Sequence, residues 1–292
     1  MTAFSLSLLV LAQAATIAPD AEVRAITTIV LDKEGAPVEG LSGTDVALSE
    51  NGVIRDITSF RPDTRPLTVA VIVDTSQAVG SALRAHVVDA VSAFIARMPS
   101  GTAYALWATG DRPTKLVDYT EDPAEASKAL LRVPPLGGNY MLDALAEASK
   151  DLKEKAREGT RSAVVAISGT GPELSYLDKW RSADTAEENA DLFLMLQVDV
   201  GGADFEMRAN LSFVFDRLAR ATGGEYDVIL SYMGTDTGLR KLSPFLTAGY
   251  RLAYATVPDL KKREIEVTVA RPDTEARVPI RTDIESELAP EL

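Results

Sequence analysis

The apolar run Leu67 to Val73, "LTVAVIV", ends abruptly in Asp74-Thr75-Ser76-Gln77-Ala78. Two more polar loops resemble it in character. One is Gly137-Gly138-Asn139-Tyr140, ahead of a helical pattern; the other is Ser168-Gly169-Thr170, after the apolar run "AVVAI". Carboxylate, hydroxyl and amide oxygens are hard ligands of the kind that Mg²⁺ and Ca²⁺ take. An acid and two hydroxyls where a buried strand meets a helix thus raise the question of a bound metal, of chemistry, or of a presented surface. The same atoms have a second use. A side-chain oxygen at a helix start satisfies free N–H groups, at about 1 kcal/mol per cap. Asp74 and Ser76 suit that role as well, holding a turn and the start of the next helix.

Catalysis is a poorer fit. His86 is the single histidine and there is no cysteine, which removes thiolate chemistry, Cys–His pairs and multi-histidine metal sites. His86 sits beside the apolar stripe of a predicted helix that runs away from Ser76. At 1.5 Å per residue the two are about 15 Å apart, too far for a Ser–His–Asp arrangement. The "GGNYMLD" and "GTGPE" stretches lack the spacing and the lysine of a phosphate loop. No set of base, nucleophile and oxyanion donors emerges, so the chain does not read as an enzyme.

The elements that must position these loops follow from periodicity. "LTVAVIV" is a near-continuous apolar run enriched in β-branched residues, as in a strand covered on both faces. Val79, Leu83, Val87, Val91, Phe94 and Met98 then recur at helical spacing. Strand and helix patterns continue to alternate: "AYALWATG", "KLVDYT", a helix opened by Asp122 and Pro123, a helix after Asn139 closed by Gly159, "SAVVAIS", "DLFLMLQVDV", a helix and "EYDVIL". This grammar predicts a doubly wound, mostly parallel α/β sheet over 67–247. Loops at the carboxyl ends of its strands would carry the three polar stretches.

The flanks read differently. Residues 20–66 give strands separated by turn chemistry, including a hairpin with Asn51-Gly52 at its tip, and residues 248–292 give further strands. Neither segment is large enough to fold alone. They are expected to pair into a small β-sandwich, with the α/β domain inserted between them.

Composition narrows the partners. The 292 residues carry 30 Lys plus Arg against 43 Asp plus Glu, a net charge of −13. No basic face suits nucleic acid, and "KKR" at Lys261 to Arg263 reads as a loop between strands. Residues 1–15 have the apolar run and the "AQA" site of a secretory signal, without an early Lys or Arg. Export to the periplasm or the extracellular space is expected, with no transmembrane span in the mature chain. The alternatives are an amphipathic N-terminal element or a mis-set start.

The three loops resemble those of the von Willebrand factor A family. In that family an Asp-x-Ser-x-Ser loop, a Gly-Gly-Thr turn and an Asp after an apolar strand form a metal-ion-dependent adhesion site. The resemblance extends over Leu67 to about Leu246. The flanks are similar to those of related secreted bacterial proteins. Asp74 and Ser76 match the family's pattern. Ala78 replaces a serine, Asn139 replaces the threonine, and Gly169 stands where the second aspartate belongs. Losing one carboxylate about 4 Å from a divalent ion removes several kcal/mol. Asp111, Asp143 and Glu173 lie close enough in sequence to compensate. The resemblance thus implies a non-catalytic protein-binding or scaffolding module with a degenerate metal site. Its alternative is a metal-dependent adhesion protein using an incomplete site. No cofactor is expected beyond a weakly held Mg²⁺ or other divalent cation, for which the resemblance implies Asp74, Ser76 and Asn139 as ligands. The partner is a protein of unknown identity, and Asp74, Thr75, Ser76, Gln77, Asn139, Tyr140, Gly169 and Thr170 are the expected contact face.

Three further readings concern aromatic and basic residues. Trp107 is expected in the core, and Arg112 and Lys115 in solvent. Tyr176 and Trp180, four apart, are expected on one helix, either packed beneath it or serving as an aromatic anchor for a partner.

Overall fold

A computed structural model describes residues 22–157, 159–201, 205–258, 263–280 and 283–284. The expected signal segment, 1–15, lies outside the described residues, as do Lys261 and Lys262.

The chain begins with β1 (Glu22–Asp32), β2 (Val46–Glu50), β3 (Val53–Arg55) and β4 (Ile57–Pro62). The hairpin reading of Asn51-Gly52 holds: both residues have positive φ (52° and 75°), and Glu50 faces Val53 across a two-residue turn. Next come β5 (Leu67–Val73), a π-helical turn Leu83–Val87 running into α1 (Val88–Ala96), β6 (Ala103–Ala108), β7 (Thr114–Thr120), α2 (Ala124–Arg132) and α3 (Met141–Lys155). Then follow β8 (Arg161–Gly169), α4 (Lys179–Glu187), β9 (Leu192–Val198), α5 (Phe205–Thr222), β10 (Glu225–Ile229), α6 (Thr235–Leu242) and α7 (Pro244–Thr247). The chain returns to strands with β11 (Gly249–Thr256), β12 (Ile265–Val269), β13 (Thr274–Arg277) and β14 (Asp283–Ile284).

The central sheet has the order β10-β9-β8-β5-β6-β7, parallel except for the antiparallel edge strand β7. Every residue of β5, β8 and β9 is buried, as continuous apolar strands between two helical layers must be. Of the predicted stripe, Leu83, Val87, Val91 and Phe94 are buried on the helix, Val79 is buried in the turns before it, and Met98 is half-buried past its end.

The flanking strands pair across the insertion. β1 lies between β11 and β13, and β11 also pairs with β4; β12 pairs with β2 in a second antiparallel sheet. Ile26, Val46, Leu48, Leu252, Tyr254 and Val267 form a shared core between the two sheets. Within it the carboxylate of Glu50 is fully buried and ion-paired with Arg55 at 3.0 Å and with Arg263. Arg263, the described member of the basic triplet, lies between β11 and β12 as expected, and its guanidinium is an interior partner of Glu50.

The sandwich adjoins the amino ends of the parallel strands. There Asp63 accepts hydrogen bonds from Arg65 at 2.7 and 2.8 Å and faces Arg161, the first residue of β8, at 3.5 Å. The opposite end of the sheet, where the three polar loops lie, is left uncovered by the sandwich.

Candidate functional site at the carboxyl ends of the strands

The three loops converge, and backbone bonds stitch them together. Gln77 N–H donates to Gly137 O at 3.0 Å and Leu136 N–H to Thr75 O at 3.1 Å. Asn139 N–H donates to Pro172 O at 2.8 Å, and Leu174 N–H to Asn139 O at 2.7 Å. The Thr75 hydroxyl accepts from Gly110 N–H at 3.0 Å.

Asp74 is buried at the centre. Its Oδ1 accepts Ser76 N–H and its Oδ2 accepts Gly169 N–H, each at 2.9 Å. Burial pushes its carboxyl up from the ordinary value, against the Ser76 and Gly169 bonds that favour the charged form. Helix capping, expected of Asp74 and Ser76, does not occur. The π-helical turn opens at Leu83 with Ala82 as N-cap and no side-chain bond. Gly80, at φ +53°, interrupts the run with successive turns from Ser76 to Leu83. Asp74 instead bridges its own loop to the end of β8.

Asn139 is buried and committed on both sides. Its Oδ1 accepts the Thr109 hydroxyl at 2.6 Å, and its Nδ2 donates to Ser168 Oγ at 2.8 Å. Ser168 Oγ donates onward to Gly169 O at 3.0 Å. Two of the three acids proposed to compensate, Asp143 and Glu173, are also committed. Asp143 accepts the Tyr176 and Leu177 N–H groups at 3.0 and 2.9 Å. Glu173 accepts Met141 N–H at 3.2 Å and Ser175 N–H at 3.1 Å. Burial raises the Glu173 carboxyl to about 7. Asp111 is exposed, in a left-handed conformation at φ 68°.

One residue that sequence reasoning missed is Tyr232, on the short turn after β10. A Cβ built on Gly169 would overlap the Tyr232 hydroxyl oxygen and lie 3.3 Å from Asp74 Oδ2. Burial, and after it the Asp74 charge, hold the Tyr232 phenol above its ordinary value. Nothing in "LSYMGTD" marks this tyrosine, because only the chain's return from β10 aims it at the loops.

This donor set does not fit a six-coordinate divalent cation. It offers one carboxylate, already bonded to two N–H groups. The Asn139 oxygen is taken, and a phenol fills the space beside Gly169. Among the described residues no cluster of three His, Cys, Asp or Glu side chains could hold a metal.

The surface above the loops differs from the expected face. Asp74, Thr75, Ser76, Asn139, Gly169 and Thr170 are buried, because their polar atoms serve the loop network or lie beneath it. Gln77 is exposed and Tyr140 half-buried. Their neighbours Leu136, Leu174 and Tyr176 (91% exposed) form the outer surface. Tyr176 and Trp180 do not share a helix: α4 opens at Lys179, after Asp178 caps it through Trp180 and Arg181 N–H. The Tyr176 ring tilts over Tyr140 at 6.1 Å, whereas Trp180 meets Phe213 edge-on at 4.7 Å. Trp107 is buried, as expected. Lys115 is not simply solvated: it bonds Asp151 at 2.7 Å and lies 5.4 Å from the centre of the Trp107 ring.

The family model described as "von Willebrand factor type A domain" matches residues 69–172, which hold all three loops. The chain contains a von Willebrand factor A domain. A von Willebrand factor type A structure from Catenulispora acidiphila aligns with 90% of this chain and 75% of its own, at 11% identity and a TM-score of 0.52. Proximal thread matrix protein 1 from the mussel byssus aligns with 74% of this chain at 12% identity and a TM-score of 0.51. The vWF domain of the type V pili tip protein Mfa5 from Porphyromonas gingivalis aligns with 36% of this chain at 20% identity and a TM-score of 0.33. This chain spans 50% of the byssus protein and 38% of the pilus-tip chain. Identities this low speak to the fold alone. A comparison with curated proteins finds no match. Domains of this type are protein-interaction or adhesion modules, generally non-catalytic, and some hold a divalent metal. Among the described residues, no helix of this von Willebrand A chain is long and apolar enough to cross a membrane.

Proposed function

We propose that this chain is a metal-independent protein-binding module. Its von Willebrand A domain spans 67–247 and is inserted in a sandwich made of 20–66 and 248–292. The contact surface in this reading is the skin above the loops, centred on Gln77, Leu136, Tyr140, Leu174 and Tyr176. The observation that carries it is the sealed loop network: Asp74, Asn139 and Glu173 spend their oxygens on N–H and O–H groups of the chain itself. A partner therefore meets a pre-formed surface, with no ordering step to weaken binding. The reading includes export after removal of residues 1–15, and no catalytic role.

A second reading, metal-dependent adhesion, is favoured by two buried hydroxyls in the loops that meet at Asp74. Ser76 Oγ and Thr170 Oγ1 make no hydrogen bond of ordinary geometry. Both would suit a hard cation, provided that Tyr232 and Asn139 rearranged.

One experiment tests both. A photo-crosslinking residue is placed at Gln77 or Tyr176, with Lys128 on the α2 face as control, in the full chain expressed in its own host. Crosslinks at 77 and 176 that are absent at 128 and survive EDTA are the expected result. Crosslinks abolished by EDTA and restored by Mg²⁺ favour the second reading. Equal crosslinking at all three positions overturns the binding face.

A further inference from the structure

The crevice departs from a cation site in more than missing ligands. Gly169 has no side chain, and the volume that a side chain would fill is already taken. The direction of its absent Cβ runs into the Tyr232 hydroxyl, while the next Tyr232 atom, Cζ, stands 3.4 Å from that position. The same point is 3.3 Å from Asp74 Oδ2. Tyr232 arrives from a different element, the turn Tyr232–Gly234 between β10 and α6. That turn is fastened: Ser231 Oγ accepts Met233 N–H at 3.3 Å, and the Thr235 hydroxyl donates to Tyr232 O at 2.7 Å. The Tyr232 ring belongs to the main core together with Val71, Val73, Ile167 and Leu239. It is therefore anchored on both its backbone and its ring.

We propose that Tyr232 is a built-in occupant of the third-loop ligand position, and that this domain's crevice is closed to divalent cations by its own chain. The phenol puts a polar oxygen near Asp74 where the family's pattern would put a second carboxylate. Gly169 and Tyr232 are thus a reciprocal pair: the glycine makes room for the hydroxyl, and the hydroxyl excludes any larger residue. Supplying the missing ligands is insufficient while the tyrosine stays. This goes beyond the partner-binding reading and does not depend on it.

The reciprocal packing is tested by a double-mutant cycle on the full chain: Gly169→Ala, Tyr232→Phe and both together, followed by thermal and urea unfolding. Gly169→Ala is expected to lower the melting temperature by several degrees. Adding Tyr232→Phe should recover at least half of that loss, because the added Cβ then meets Cζ at 3.4 Å and Asp74 Oδ2 at 3.3 Å, with the overlap at 2.1 Å removed. Additive effects overturn the pairing. Cation exclusion is tested by calorimetric titration with Mn²⁺ of the variant Ala78→Ser/Asn139→Thr/Gly169→Asp, with and without Tyr232→Phe. At least tenfold tighter binding with the phenylalanine is expected, and equal affinity overturns the proposal. If the multiple variants do not fold, the same titration of Gly169→Asp with and without Tyr232→Phe decides cation exclusion, and equal affinity overturns it.

Discussion

The Thr109 hydroxyl donates to the Asn139 amide oxygen at 2.6 Å, and both residues are fully buried. This one bond ties the end of β6 to the turn that opens α3. The Asn139 amide then reaches Ser168 at the end of β8. Asn139→Ala strands the Thr109 donor in the interior. The expected cost is about 2 kcal/mol, because an unsatisfied buried polar group forfeits its full desolvation energy. Urea unfolding should show a lower midpoint with an unchanged slope.

Glu173 gives a pH dependence with a defined sign. Its folded value is raised from 4.5 to about 7 by burial. The folded state therefore holds the proton more tightly than the unfolded chain. Its stabilising contribution is complete below about pH 4.5 and is lost as pH rises through about 7. Melting temperatures recorded across that window should fall, and Glu173→Gln should flatten the decline. Asp74 shifts in the same direction, so a residual slope is expected to remain in that variant.

Asp63 acts with the opposite sign at the other end of the sheet. Its carboxyl is held down at about 2: burial pushes it up, but the Arg65 hydrogen bonds and the Arg65 and Arg161 charges outweigh that. Its contribution is full above 3.8 and fades as pH falls through about 2. Asp63→Asn leaves the buried Arg161 guanidinium without its anion, at a cost of about 3 kcal/mol near neutral pH. Denaturant unfolding of the variant and the parent should converge in strong acid.

Tyr176 and Trp180 should separate in mutagenesis although they lie four residues apart. Tyr176 is 91% exposed, so Tyr176→Ala should change stability by less than about 0.5 kcal/mol while reducing crosslinking at Gln77. Trp180 packs edge-on against Phe213, so Trp180→Ala should cost about 1 kcal/mol and leave crosslinking intact. Parallel melting curves and crosslinking yields test both statements.

The fold was legible because it rests on local periodicity. The near-continuous apolar, β-branched run Leu67–Val73 points to a strand buried on both faces, and the Leu83-to-Phe94 spacing points to a helix. The pairing of flanking strands was also accessible, since neither segment can bury its apolar face alone. The helix start was misjudged, because one glycine at positive φ outweighs propensity in the turns around it.

The candidate site divides the same way. Residue types and strand order implied that three oxygen-bearing loops meet at one edge of the sheet, and the family resemblance marked a second carboxylate as missing there. They did not determine what those oxygens do, because a hydrogen bond is decided by which donor arrives from elsewhere in the chain. Thr109 reaches Asn139 across 30 positions and Gly169 N–H reaches Asp74 across 95, distances over which no sequence pattern specifies a partner. Tyr232 is the extreme case. It is an ordinary tyrosine in sequence, and only tertiary packing sets its hydroxyl in the space that Gly169 leaves open.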